Sequence, residues 1–152
     1  MTPETRALLI RRYEDGCAAF IKALDSLAEA DLDFAPRGEW SARQITHHVA
    51  DAELVRGYRL RQLMAQDAPL LEGFDEEGFA ERLHYYRPRA ASQALFRAAV
   101  QSNVELLTLA FPEDWSRTGS HSEQGVFSLE DWLEGAATHS FEHAEQLKKL
   151  SK

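Results

Sequence analysis

Two histidines near the C-terminus, His139 and His143, have the spacing of a helical metal-binding pair. Residues four apart lie one turn apart on the same face of a helix, so two imidazole rings at this spacing can each direct a nitrogen at one point. Imidazole nitrogens are common ligands of divalent transition metals. The alternative is a pair of ordinary core or surface histidines, because a single pair of this kind is only weakly specific.

The segment that carries this pair is predicted to be a helix from Leu129 to Leu150, with Ser128 as its N-cap and Asp131 completing the start signal. One face of this helix collects residues that recur every three or four positions: Trp132, Ala136, His139, His143, Leu147 and Leu150. Both histidines are therefore expected to face inward. A buried imidazole without a partner costs about 1–3 kcal/mol, so something must satisfy each ring.

A third ligand has to come from another segment, and the second long helix carries His47 and His48. His48 aligns with Ile45 and Ala52, whereas His47 is rotated by about 100 degrees and aligns with Asp51. Periodicity therefore favours His48 over His47 only modestly. A surface pair of His47 with Asp51 is the simplest interpretation of the other ring. Three histidines would leave a fourth position for water or substrate, which is the pattern of catalytic zinc.

The rest of the chain contains three more long segments with helical periodicity. Their starts are marked by residues that suit a helix N-terminus, because Ser and Thr accept from a free backbone N–H and Pro has none to leave unpaired. These helices are predicted to start at Thr2-Pro3, at Ser41 and after Ser92, and to end near residues 28, 64 and 111. A short helix is predicted at residues 79–86.

The connections at residues 30–38, 66–78 and 113–127 are rich in Gly, Pro and polar residues and are expected to be loops. The connection at 66–78 is long enough to cover the mouth of a site. No segment shows the alternation of a strand. Four long helices with long connections predict an all-α four-helix bundle, and residues 1–152 are expected to form a single domain.

The charge and cysteine content exclude several classes of function. A net charge of -8 opposes binding to a phosphate backbone, so no nucleic-acid partner is expected. Cys17 is the only cysteine, which rules out an internal disulfide, fits a reducing compartment and is expected to lie in the core. The sequence shows neither a signal peptide nor an apolar run long enough to span a membrane. These features predict a soluble, cytoplasmic protein with no membrane partner.

Residues 39–51 (EWSARQITHHVAD) and the final helix resemble the DinB-like superfamily of metalloenzymes. Residues 118–129 (TGSHSEQGVFSL) are similar to the His-Pro-Glu-x-Gly stretch of its YfiT-type subgroup, which includes bacillithiol S-transferases. The resemblance implies a metal held by His48, His139 and His143. This chain departs from the subgroup at Ser122, where proline is usual, and at Glu142, where an extra histidine is missing.

The resemblance also implies a divalent transition metal, with zinc or nickel expected, and an open position that binds water or a low-molecular-weight thiol as the nucleophile. No catalytic side chain is identified. The implied activity is thiol S-transfer to small electrophilic substrates or metal-dependent hydrolysis. The alternative from another class is a non-catalytic, stress-associated helical bundle that acts through partner contacts. A homodimer is expected on family grounds.

Several other side chains are candidates for a role near the metal. Glu142 and Gln44 are candidates to orient a ligand imidazole, although solvated helix faces often carry such residues. His121 is expected to be an exposed loop residue, with a place at a pocket mouth as the alternative. Three aromatic residues either line a pocket or cap the core: Trp40, Tyr85 and Tyr86.

Two charged groups are expected to be solvated. The arginines of the second helix, Arg56, Arg59 and Arg61, are predicted to form an ion-paired surface, with binding of an anionic substrate or of a partner subunit as the alternative. The acidic group is expected to face solvent and comprises Glu72, Asp75, Glu76, Glu77 and Glu81.

Overall fold

The structure, a computed structural model, describes residues 1–150 and is mainly helical. The helices are α1 (Pro3–Asp25), α2 (Ala42–Ala65), α3 (Glu76–Arg82), α4 (Ala90–Leu109) and α5 (Leu129–Leu150). The four long helices form the predicted bundle, in which α1 packs mainly against α5 and α2 mainly against α4. None of the helices in residues 1–150 is long and apolar enough to cross a membrane.

Three of the four predicted helix starts are confirmed. Thr2 and Ser41 each accept a hydrogen bond from the backbone three residues on, and Ser128 accepts from Asp131 N at 3.1 Å. At α2, Gln44 Oε1 also accepts from Ser41 N at 3.0 Å, which completes a reciprocal capping box. The predicted start of α4 after Ser92 is wrong, because α4 begins at Ala90 and encloses a buried Ser92.

The prediction that the chain has no strands is wrong. Strands β1 (Leu70–Leu71), β2 (Thr118–His121) and β3 (Gly125–Ser128) form a small sheet in the order β1-β2-β3. β2 and β3 are an antiparallel hairpin, and β1 pairs in parallel with β2. Strands of two to four residues are too short to show alternation, and the partner of β1 lies far along the chain, so local sequence carries no signal for it.

Two glycines are required where this sheet meets its neighbours. A Cβ added at Gly119 would lie 2.7 Å from the backbone oxygen of Pro69, so only glycine fits beside β1. Gly125 has a φ of +77° in the hairpin turn, a left-handed conformation that glycine adopts without strain. Gly119 thus lets β2 lie close to β1, and Gly125 lets the chain turn from β2 into β3.

The core lies between the four long helices and is anchored by aromatic pairs. Tyr13 and Trp132 meet edge to face at 5.7 Å between α1 and α5, and Phe20 and Phe96 do so at 5.3 Å between α1 and α4. Cys17 is half-buried against this core, close to its predicted place. This packing holds α5 firmly against the remaining helices.

Candidate metal centre

The structure brings His48 of α2 together with His139 and His143 of α5. The ring centroid of His48 lies 5.7 Å from that of His139 and 4.9 Å from that of His143, and the centroids of His139 and His143 are 4.6 Å apart. One ring nitrogen of each residue lies within 4.8 Å of the other two. Residues from two distant parts of the sequence therefore converge on one point.

A hydrogen bond between the two helices fixes this convergence. Trp132 Nε1 of α5 donates to the backbone oxygen of Arg56 on α2 at 2.8 Å. Trp132 lies seven residues before His139 and Arg56 lies eight after His48, so each is about two helical turns from the cluster. The bond sets the register in which α5 passes α2.

Burial keeps the three imidazoles uncharged. It lowers the pKa of His48 to about 4, and electrostatic repulsion of a charged His48 ring by His143 and Arg56 contributes. Burial lowers the pKa of His139 to about 2, and the Arg56 guanidinium adds to this effect. The pKa of His143 is lowered for the same main reason. At neutral pH all three rings are therefore in the neutral form that binds metals.

One ligand ring is oriented by a hydrogen bond along α5. His143 Nδ1 lies 2.9 Å from Gln146 Oε1, and an amide oxygen only accepts, so Nδ1 carries the proton and Nε2 keeps a free lone pair. Gln44 and Glu142 were the wrong candidates for this role. Gln44 caps α2, and Glu142 is exposed and acts on His143 only through its charge. The three-residue spacing to Gln146 is the signal that sequence reasoning missed.

The donor set fits a divalent transition metal. His48 Nδ1 and His139 Nδ1 are buried and have no hydrogen-bond partner among residues 1–150, which without an ion would cost about 1–3 kcal/mol each. Nitrogens around one tetrahedral zinc lie roughly 3.4 Å apart, a spacing that side-chain rotation can reach from a cluster within 4.8 Å. Three imidazoles suit zinc or nickel and do not suit magnesium or calcium.

His47 is excluded from the cluster by two other hydrogen bonds. Its Nε2 donates to the backbone oxygen of Arg87 at 2.9 Å, and its Nδ1 accepts from Ser92 Oγ at 2.8 Å. The ring is fully buried, so the predicted surface pair with Asp51 is wrong. His47 is buried because α4 packs against this face of α2, and helical periodicity does not predict that contact.

A cavity of about 190 Å³ opens beside the cluster. Its walls come from α2, the segment between β1 and α3, the β2–β3 hairpin and α5, and they consist of Ala52, Arg56, Arg59, Gly73, Phe74, Glu76, His121, Glu123, Gln124 and His139. The connection at residues 66–78 therefore contributes to the site, as expected. His139 is the ligand candidate that faces this space.

Two predictions about the cavity residues are wrong. His121 was expected to be exposed, but β2 buries it to 3% exposure at the cavity wall. Arg56 and Arg59 were expected on a solvated surface, but both are half-buried and line the cavity. Only Arg61 is exposed as predicted, and it donates to Asn103 Oδ1 and Ser102 Oγ. The acidic residues at 72, 75, 76, 77 and 81 are exposed, as predicted.

The hairpin that carries His121 also accommodates the unusual Ser122. Its backbone N–H donates to Leu71 O at 3.0 Å, a bond that proline at this position does not form. Its hydroxyl accepts from Gly73 N at 2.9 Å. Ser122 thus ties the hairpin to the segment that forms the opposite wall of the cavity.

Aromatic rings pack against the His48 ring of the cluster. The Trp40 ring meets the His48 ring at 4.9 Å, and the Phe74 ring stacks on it at 6.3 Å. Tyr85 instead packs against His47 at 5.5 Å, and Tyr86 is 74% exposed. Of the three aromatic candidates, only Trp40 contacts a residue of the cluster.

The bundle and the three-histidine cluster define the class of protein. The sequence model of the DinB superfamily matches residues 12–147, and the chain belongs to this family. A protein of Oceanobacillus iheyensis named "Putative metal-dependent hydrolase" is 30% identical over 144 residues, which cover 94% of this chain and 84% of that protein. A protein of the same name from Bacillus cereus is 28% identical over all of this chain and 88% of its own length.

The fold also has a counterpart among solved structures. YfiT from Bacillus subtilis, described as "a probable metal-dependent hydrolase with an unusual four-helix bundle topology", superposes with a TM-score of 0.91. The match covers 99% of this chain and 87% of YfiT at 22% sequence identity. The resemblance to a YfiT-type bundle stated from the sequence is confirmed.

Proposed function

We propose that this protein is a metal-dependent enzyme that acts on a small molecule, with one divalent ion held by His48, His139 and His143. The observation that carries the proposal is the convergence of three neutral ring nitrogens within 4.8 Å. Two of the three rings also have a buried nitrogen with no partner in the described chain. An ion at this position would supply Lewis acidity, polarising a substrate and lowering the pKa of a water or thiol that binds it.

The residues around the cluster support this chemistry in distinct ways. Gln146 orients the His143 ring, and Trp40 and Phe74 keep solvent from His48. Glu76 and Glu123 supply carboxylates at the cavity wall. Partial desolvation at the cavity wall and the charge of Glu123 raise the pKa of Glu76, whose side chain stays largely exposed, and a raised pKa suits a group that accepts a proton from the nucleophile. No side chain is recognisable as such a base from the sequence alone.

Hydrolysis is the first candidate reaction, because relatives that match nearly the whole chain are named metal-dependent hydrolases. Thiol S-transfer is the second, supported by the resemblance of residues 118–129 to a subgroup that includes bacillithiol S-transferases. The two reactions differ in the nucleophile, which is water in hydrolysis and a low-molecular-weight thiol in S-transfer, and in the substrate that each nucleophile attacks. Zinc and nickel are the proposed ions for either reaction.

The decisive test compares metal-loaded and metal-stripped protein on two substrate sets. One contains model esters and amides, and the other pairs model electrophiles with bacillithiol, mycothiol or glutathione. The proposal expects about one ion per chain and turnover that needs it, with both lost in His48→Ala, His139→Ala and His143→Ala. His84→Asn is the matched control, since His84 is exposed, lies outside the cluster and has a φ of 55° that Asn tolerates.

Turnover that is absent with every substrate, or unchanged when the metal is removed, contradicts an enzymatic role. It would favour the non-catalytic alternative, in which the bundle acts through partner contacts. Failure to bind a divalent ion would overturn the metal site itself.

We also propose that the protein forms a homodimer and does not bind nucleic acid. The homodimer is proposed on family grounds, and the absence of nucleic-acid binding is proposed from the net charge of -8. Light scattering on the purified full chain tests the first, and a monomeric mass contradicts it. Retardation of labelled duplex DNA at low salt would contradict the second.

A further inference from the structure

Three buried nitrogens around the cavity beside His139 have no hydrogen-bond partner. They are Arg56 Nη1, Arg59 Nε and His121 Nε2, and no acceptor in residues 1–150 reaches any of them. All three belong to residues of the same cavity wall. Buried donors without acceptors are rare in folded proteins, so three of them around one cavity indicate a ligand-binding site.

The proton on His121 can be placed from its other contact. His121 Nδ1 accepts from the backbone N–H of Glu123 at 3.2 Å, so the neutral ring carries its hydrogen on Nε2. His121 is only 3% exposed, so bulk water has little access to the hydrogen on Nε2. His121 is therefore a third donor beside the two guanidinium groups.

Arg56 retains a free N–H despite a nearby carboxylate. Glu53 Oε2 lies 3.8 Å from Arg56 Nη1, which is beyond hydrogen-bond distance. The other oxygen, Glu53 Oε1, accepts from Asn103 Nδ2 at 2.9 Å and from the Tyr13 hydroxyl. Glu53 thus forms an ion pair with Arg56 but accepts no hydrogen bond from its Nη1.

Arg59 also has one guanidinium nitrogen with a hydrogen-bond acceptor and one without. Its Nη2 donates to the backbone oxygen of Glu72, and it has no ion pair within 4 Å in the described part of the chain. Glu76 and Glu123 line the same cavity, but both are exposed and neither pairs with Arg56 or Arg59. Each guanidinium therefore keeps one buried N–H without a hydrogen-bond acceptor, Arg56 at Nη1 and Arg59 at Nε.

We propose that Arg56, Arg59 and His121 bind an oxyanion substituent of the substrate, a carboxylate or a phosphate, beside His139. The inference rests on the proposed function for the reaction, and it adds the class of substrate. Arg56 Nη1, Arg59 Nε and His121 Nε2 each offer one N–H to the oxygens of such a group, and hydrogen bonds from a guanidinium to an oxyanion are charge-assisted. At about 190 Å³ the cavity is smaller than the roughly 300–1,000 Å³ of sites for drug-sized ligands, so it fits the charged substituent of a larger molecule.

The test titrates the full chain, metal-stripped and metal-loaded, with acetate, inorganic phosphate and neutral acetamide. Binding is followed by NMR shifts of the His121 and Arg side chains and by calorimetry. We expect acetate or phosphate to bind and acetamide not to bind. Comparing the two anions shows which oxyanion geometry the cavity accepts.

Variants assign the binding to these side chains. Arg56→Gln and Arg59→Gln should each weaken oxyanion binding about tenfold or more, and Arg59→Lys should lose most of the affinity because Lys keeps the charge but has no N–H at the position of Arg59 Nε. Arg61→Gln is the matched control, because Arg61 is on the same helix outside the cavity. Circular dichroism and the unfolding midpoint show that each variant is folded.

The metal-stripped protein separates this inference from the proposed function. Oxyanion binding that persists without metal and is lost in the Arg59 variants supports the inference even if no ion binds to the histidines. The inference is overturned if neither anion binds wild-type protein, if acetamide binds as well as acetate, or if Arg56→Gln, Arg59→Gln and Arg61→Gln all bind like wild type.

Discussion

The Nδ1 atom of His143 lies 2.9 Å from Oε1 of Gln146, one turn further along α5. This contact assigns the ring proton to Nδ1 and leaves Nε2 as the nitrogen that can bind an ion. Because both residues are on one helix, the helix itself sets the orientation of the ring. A side chain that never touches the ion therefore prepares one of its ligands.

Replacing this acceptor is expected to weaken metal binding. Gln146→Leu removes the oxygen while keeping the volume, and loss of such a partner typically costs about 10–100-fold in metal affinity. Gln146→Glu keeps an acceptor and should retain the wild-type affinity or exceed it. Competition with a chromogenic chelator measures both. Equal affinity in wild type and Gln146→Leu would show that the contact does not orient the ligand.

His47→Ala is expected to destabilise the fold and leave the metal site intact. The change leaves Ser92 Oγ and the Arg87 carbonyl without their buried partner, which costs about 1–3 kcal/mol in the free energy of unfolding. Urea denaturation of the metal-free protein measures this cost, and elemental analysis should still find about one ion per chain. Loss of the ion at unchanged stability would mean that His47, and not His48, is the ligand.

The metal-free protein is expected to lose stability in mild acid. The unfolded chain titrates its histidines near pH 6.5, whereas burial lowers the pKa of His48 to about 4 and of His139 to about 2 in the folded chain. Between these values the unfolded state binds more protons, so the free energy of unfolding falls as the pH drops below about 6.5 and is fully retained above it. Urea midpoints at a series of pH values measure this slope. The double variant His48→Gln/His139→Gln should lose most of it, and an unchanged slope would contradict the assignment.

Metal binding at pH 7 is expected to release few protons. The pKa values of about 4 and about 2 mean that His48 and His139 are already unprotonated in the folded protein. The ion therefore displaces no proton from either ring. Calorimetry in two buffers of different ionisation enthalpy gives the number released. A release of two or more protons per ion would mean that the rings are charged before the metal binds.

Gly119→Ala is expected to disturb the small sheet. The added Cβ would lie 2.7 Å from the backbone oxygen of Pro69, and such an overlap with backbone costs about 1–3 kcal/mol. Gly135→Ala is the matched control, because a Cβ there meets nothing within 4 Å and a helical position gains about 1 kcal/mol from alanine. Chemical denaturation compares the two. Similar stability in both variants would contradict the close contact of β2 with Pro69.

The helices were predictable because their signals are local. Thr2, Ser41 and Ser128 cap the helices that follow them, and each cap needs only residues three positions away. The inward face of α5 was likewise readable from its own periodicity. The start of α4 was predicted three residues too late, because its N-cap residue, Arg89, makes no side-chain capping hydrogen bond.

The surroundings of the site were not predictable in the same way. From the sequence, Arg56 and Arg59 were expected on a solvated face of α2 and His121 in an exposed loop. In the folded chain the hairpin and the segment between β1 and α3 lie over these side chains. The pairing of β1 with β2 joins residues 50 positions apart, as Leu70 with Ser120. Nothing in either segment alone identifies the other.

The sequence by itself determined that this chain is a helical bundle with a histidine pair on the inner face of its last helix, because helical periodicity and capping depend on neighbours within one or two turns. Periodicity left the choice between His47 and His48 nearly open and the family resemblance implied His48, whereas the tertiary structure brings His48 and not His47 beside His139 and His143. The two rings are adjacent in the chain, and the choice follows from α4 engaging one and α5 facing the other. The cavity was decided in the same way, since its walls come from segments that meet only after the bundle has packed.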